Sequence, residues 1–119
     1  MTKIRGIRGA NISKENSKDC IFKATKELLE EIFKLNPVQI DNIAAIYFTL
    51  TRDLNAAFPA EVAREMGLTS VPLLCTQEIE VPNSMAKVVR VLMLVNTSLS
   101  QNEIKHVYIG NAKTLRDDL

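Results

Sequence analysis

At 119 residues the chain can build one domain around one core and is too short for two. Apolar residues make up 46% and 15 basic residues face 14 acidic ones, so the chain can fold but has no global field to attract nucleic acid or a membrane surface. No apolar run is long enough to span a bilayer, MTKIRGIRGA lacks the apolar centre of a signal peptide, and two isolated cysteines with a single histidine argue against a disulfide framework, a metal site or a His-based nucleophilic scheme. These observations predict a cytoplasmic protein with no nucleic-acid or membrane partner, in which any anion site is assembled locally.

Residues 3–10, KIRGIRGA, alternate as a first strand does, with Ile4, Gly6 and Arg8 on one face and Arg5 and Ile7 on the other. Gly6 and Gly9, on either side of Arg8, allow close approach of backbone or ligand; a frayed basic strand would read the same way. Asn16-Ser17 offers a helix cap with Asp19 in the first turn. The helix runs to about Leu35, with Ile21, Ala24, Leu28, Ile32 and Leu35 as its apolar stripe and a solvated face of lysines and glutamates. Asn36-Pro37 ends it, because proline disfavours helical geometry in the residue before it.

A short turn at 37–42 leads to IAAIYFTLT, residues 43–51, a buried strand by its β-branched and aromatic content. After a loop at 52–55, Pro59 opens and Gly67 closes a two-turn helix over about 60–66, with Phe58 just before it and Arg64 projecting from it. Strands are expected at 71–79 and 87–96, and a short helix within 98–105, where Ser100 and Glu103 have capping-box spacing. A last short strand covers 106–109, followed by a polar, loose tail from about 111 to 119. The order β-α-β-α-β-β-α-β predicts an α/β (α+β) fold, a mixed β-sheet with helices on one face, in a single domain spanning 1–119. Strands such as IAAIYFTL and VVRVLMLV are apolar on both faces, and two helices cannot cover both, so self-association is expected.

Two charges interrupt the apolar segments: Glu78 in VPLLCTQEIEV and Arg90 in VVRVLMLV. An arginine leaves water only if it is paired and hydrogen-bonded, so Arg90 needs an anion, which is either Glu78, open water or a ligand. Arg8, Arg64 and Arg116 are further candidates for a site where planar guanidinium forks grip carboxylates. His106, Cys75 and Tyr108 have ordinary structural readings: a strand-end histidine, a small apolar filler and a packed ring. No phosphate loop, zinc helix or nucleophile elbow is present, so an enzyme here would work by binding and electrostatics.

Five segments, IRGIRGA, FPAEVAR, VPLLCTQEIEV, VVRVLMLV and HVYIGNAKTLRDDL, together resemble the small AroH-class chorismate mutases, in order and across nearly the whole chain. The resemblance implies a pseudo-barrel homotrimer with an active site at each subunit boundary. It implies the Claisen rearrangement of chorismate to prephenate, in aromatic amino-acid biosynthesis, without a cofactor, metal or covalent intermediate. By position, it assigns the catalytic set to Arg90, Glu78 and Arg8. Arg90 would donate to the ether oxygen and a carboxylate, Glu78 would accept from the ring hydroxyl, and Arg8 would hold a carboxylate. The substrate-binding set would be Tyr108, Phe58 and Leu115 on the ring, Leu74, Cys75, Thr76 and Gln77 along the pocket wall, and Arg64 and Arg116 at the mouth. The chain departs from the pattern at Glu61, where relatives carry a lysine, and at Leu74, where they carry a small hydroxyl residue; Glu61 is expected to face solvent. A trimeric carboxylate-binding or regulatory module, or an enamine/imine deaminase on a similar scaffold, would not require Arg90, Glu78, Arg8 and Tyr108 together.

Overall fold

The computed structural model describes residues 2–116. Strand β1 (Lys3–Ile12) leads through helix α1 (Lys18–Leu35), β2 (Ile43–Leu50), the short helix α2 (Pro59–Glu65) and β3 (Leu73–Gln77) to β4 (Val88–Thr97) and the two-residue β5 (Val107–Tyr108). Single 3-10 turns occupy Ile40–Asn42, Gln101–Glu103 and Gly110–Leu115. The strands form one mixed sheet in the order β3-β2-β4-β1-β5. β4 runs antiparallel to both β1 and β2, while β3 and β5 attach in parallel to β2 and β1. This is the mixed α+β single sheet that the element order predicts. None of its helices is long and apolar enough to cross a membrane, among the described residues.

Local chemistry explains the boundaries. The Ser17 hydroxyl accepts from the backbone N–H of Cys20, satisfying one of the orphan donors at the start of α1. At the other end, the Asn36 amide donates to the carbonyls of Ile32 and Lys105 and accepts from Lys105 N–H. The residue that stops the helix thus also ties it to the segment entering β5. Pro59 occupies the first turn of α2, where a missing N–H costs nothing. Ser100 and Glu103 form the reciprocal capping box, but around a 3-10 turn rather than the longer helix expected. β3 is shorter than the strand expected at 71–79, although Glu78 N–H still donates to Leu50 O before the chain turns away.

One face of the sheet carries the core. Ile7, Ile46, Phe48, Val91, Met93 and Val95 project toward Leu28, Leu29 and Ile32 of α1 and Ala60 and Ala63 of α2. Of the expected α1 stripe, Leu35 alone is exposed, because it lies in the last turn. The opposite face is half covered. Ile12, Ala10 and Val88 pack against Ala112 and Leu115 of the turn at Gly110–Leu115, whereas Ile4, Tyr47, Leu74 and Leu92 remain exposed. So part of the expected tail, residues 111–115, is folded against the sheet with Ala112 fully buried. The rest of it, 117–119, lies outside the described residues.

At Gly9 the chain has no room for a side chain. A Cβ there would lie 2.8 Å from Leu28 Cδ1 and 2.9 Å from the backbone oxygen of Val107, so both the core and the β1–β5 pairing would have to shift. Gly9→Ala is expected to cost about 1–3 kcal/mol, read as a lower urea midpoint at unchanged slope.

Candidate active site

Strand register assembles the site on the half-covered face. Thr76 of β3 lies opposite Thr49 of β2, Thr49 opposite Arg90 of β4, Arg90 opposite Ala10 of β1, and Ala10 opposite Tyr108 of β5. One line across all five strands therefore carries two hydroxyls, a guanidinium and a phenol, with only a methyl between the last two. The next line, Leu74–Tyr47–Leu92–Arg8, is apolar except for its last member. A cleft of about 360 Å³ opens over these lines, lined by Arg8, Tyr47, Thr49, Thr76, Glu78, Arg90, Leu92 and Tyr108.

Arg90 forms the floor of this cleft. Its Nε lies 3.1 Å from Glu78 Oε2, with 39% of the arginine side chain and 28% of the glutamate side chain still accessible. The ion pair and the open cleft therefore coexist, where the sequence left them as alternatives. Such a pair has a gross attraction of about 5 kcal/mol at an effective dielectric near 20, largely offset by desolvation. Yet Nε is shielded from solvent without an acceptor in line with its N–H among the described residues. Glu78 Oε2 instead receives the Thr49 hydroxyl at 2.6 Å. Thr49 carried no signal in the sequence, where it reads as one more β-branched residue of an apolar strand; only the register with Arg90 gives it a place.

Arg8 stands on the far side of the cleft. Its backbone N–H donates to His106 Nδ1 at 3.0 Å, so the imidazole is neutral with its proton on Nε2. His106 thereby anchors the strand that presents Arg8, a structural part rather than an acid or base in the cleft. Tyr108 follows two residues later and is half-buried beside Leu115 and Met85.

The remaining candidates divide between this cleft and its surroundings. Thr76 belongs to the cleft and also borders a larger depression of about 590 Å³, together with Phe58, Cys75, Gln77, Glu61, Lys18 and Arg52. Phe58 is 65% exposed at its edge. Cys75 pairs in register with the buried Phe48, so its side chain faces α2 rather than Arg90. Burial pushes its thiol pKa up, against smaller lowering effects from the Ala60 backbone and the Arg64 charge, so it stays a protonated thiol at neutral pH. Leu74 is exposed beside Tyr47, and Arg64 is exposed on α2. Leu115 packs against the cluster of Ala10, Val88 and Ala112, and Arg116 follows it at partial exposure. Glu61 lies 3.9 Å from Lys18, both side chains largely accessible. One chain thus brings Arg8, Glu78, Arg90, Thr76 and Tyr108 together and leaves Phe58 and Arg64 apart. Among the described residues no group of His, Cys, Asp or Glu side chains could hold a metal ion.

Comparison with known proteins places this geometry. The family model described as chorismate mutase type I matches residues 4–119. The chain is 46% identical over 117 residues to the chorismate mutase AroH of Thermus thermophilus, covering 98% of this chain and 96% of that one. It is 39% identical over 117 residues to the AroH chorismate mutase of Bacillus subtilis, covering 98% and 92%. Its fold matches a solved chorismate mutase from Clostridium thermocellum at a TM-score of 0.90 and 47% identity, over 92% of this chain and 98% of that one.

The His106 contact has a pH signature. Burial lowers the imidazole pKa below its ordinary 6.5, even though Glu27, Glu30 and Glu31 share its groove with Lys113. The unfolded chain therefore binds the proton more readily, and the stability contributed by neutral His106 is lost as pH falls from about 6.5 through the folded value. The expected NMR titration midpoint of this histidine is below 6.5, with a parallel loss of thermal stability at acid pH.

Proposed function

The chain belongs to the chorismate mutase type I family, and on that premise we propose how its residues carry the isomerisation of chorismate to prephenate in aromatic amino-acid biosynthesis. The reaction is unimolecular: a C–O bond breaks while a C–C bond forms, and no proton or electron is exchanged with the protein. It needs the substrate held in its compact reactive conformer and a fixed cation where charge develops. Arg90 is that cation, donating to the ether oxygen as it gains negative charge. Glu78 accepts from the ring hydroxyl, and Arg8 grips a carboxylate from the opposite wall. Tyr108 and Leu115 border the apolar part of the ligand, and the strand segment Leu74, Cys75, Thr76 and Gln77 forms a wall, Cys75 through its backbone. The observation that carries this reading is the convergence of Arg8, Glu78, Arg90 and Tyr108 on one cleft, which a plain carboxylate-binding module would not require.

The assembly follows from what one chain leaves unfinished. The sheet face bearing the cleft is apolar and exposed at Ile4, Tyr47, Leu74 and Leu92, and a second copy would cover it. Phe58 and Arg64, remote from Arg90 in one chain, then reach the cleft from a neighbouring copy, with Arg64 and Arg116 adding positive charge at the mouth. We assign a homotrimer acting in the cytoplasm, as a single domain over 1–119.

Loss of chorismate absorbance on adding the purified protein is the direct assay. Arg90→Ala, or citrulline in its place, is expected to lose at least roughly 10²–10³ in kcat with the oligomer intact. Normal turnover without the guanidinium would remove Arg90 from the mechanism.

A further inference from the structure

We propose that Thr49 is a positioning residue that holds the Glu78 carboxylate out of line with the Arg90 Nε–H, so that this donor stays available to the substrate. The inference rests on the mutase reading above and adds to it a residue that touches the reaction only through Glu78.

Two donors approach the same carboxylate oxygen. Glu78 Oε2 lies 2.6 Å from Thr49 Oγ1 and 3.1 Å from Arg90 Nε. A hydroxyl proton rotates to meet its acceptor, whereas the Nε–H is fixed in the guanidinium plane. The hydroxyl takes the alignment, and Nε is left desolvated with no acceptor in line. That vacancy is costly for a buried donor, and it persists because Glu78 is held from two sides. Its backbone N–H bonds to Leu50 O at 2.8 Å, and its carboxylate bonds to Thr49, which directly precedes Leu50 on the same strand.

Without the hydroxyl, the carboxylate is free to swing into line with Arg90. The guanidinium would then be neutralised by its own protein, and the substrate would have to break that pair before binding. Valine would fit β2 as well as threonine by shape and strand preference. Only the hydroxyl distinguishes them here.

The test compares the parent chain with Thr49→Val, Thr49→Ala and Thr49→Ser, measuring kcat and KM for chorismate across pH. Valine and alanine are expected to lower kcat/KM by roughly tenfold, the weight of one charge-assisted hydrogen bond. Serine, which keeps the hydroxyl, should restore the parent value. Repeating Thr49→Val in a Glu78→Ala background should give no further loss. If valine or alanine leaves kcat/KM at the parent value, the proposal is overturned. It is equally overturned if the loss is the same size with Glu78 removed, because the effect would then be packing. Alanine serves where valine fails to fold. A parent chain unable to rearrange chorismate would sink the functional reading itself, and Thr49's role with it.

Discussion

A guanidinium in the middle of an apolar strand constrains everything around it. Arg90 sits among Val88, Val89, Val91 and Met93, and its charge can stay there only because an anion is close by. Glu78 supplies that anion incompletely: near enough to offset the desolvation, turned far enough to leave the Nε donor unmatched. A fully satisfied pair would be a stable piece of structure with nothing left to offer a ligand. A fixed, partly solvated cation at the base of a cleft is what electrostatic catalysis needs, since it requires no reorganisation as charge develops.

The sheet makes this possible by giving its two faces different tasks. Toward α1 and α2 the strands bury aliphatic and aromatic side chains and form the core. Away from the helices, the same strands alternate to a line of polar groups flanked by exposed apolar ones. Strand period ensures that no residue serves both faces, so the core can be packed tightly without disturbing the cleft. The turn at Gly110–Leu115 closes one end of the second face, and Ile4, Tyr47, Leu74 and Leu92 stay exposed on the remainder.

Much of this was legible beforehand, for definite reasons. Ser17 and Pro37 bound α1, Pro59 opens α2, and the alternation in KIRGIRGA put Arg8 and Ile7 on opposite faces, as they are. Arg90 and Glu78 stood out because a charge in an apolar run is conspicuous. Features that depend on pairing between strands were hidden. Thr49 gains its role from the residue across from it, and Cys75 turns toward α2 because register with Phe48 fixes its side. The turn at 110–115 has no apolar period to announce it; a single alanine wedged against Ala10 and Val88 holds it down. Leu35 followed the helical period but fell in the final turn, past the edge of the sheet.

The parallel pairing of β5 with β1 has a consequence for how the molecule is made. Arg8 and the histidine that anchors its backbone are 98 positions apart in the chain, yet they are neighbours in the fold. At ordinary elongation speeds of about 5–20 residues per second, roughly 5–20 s pass on the ribosome between the synthesis of one and of the other. During that interval the nascent polypeptide can close its helices and pair β4 with β1 and β2, but the other edge of β1 waits unpaired. Reactivity arrives last, when the growing polymer is nearly finished.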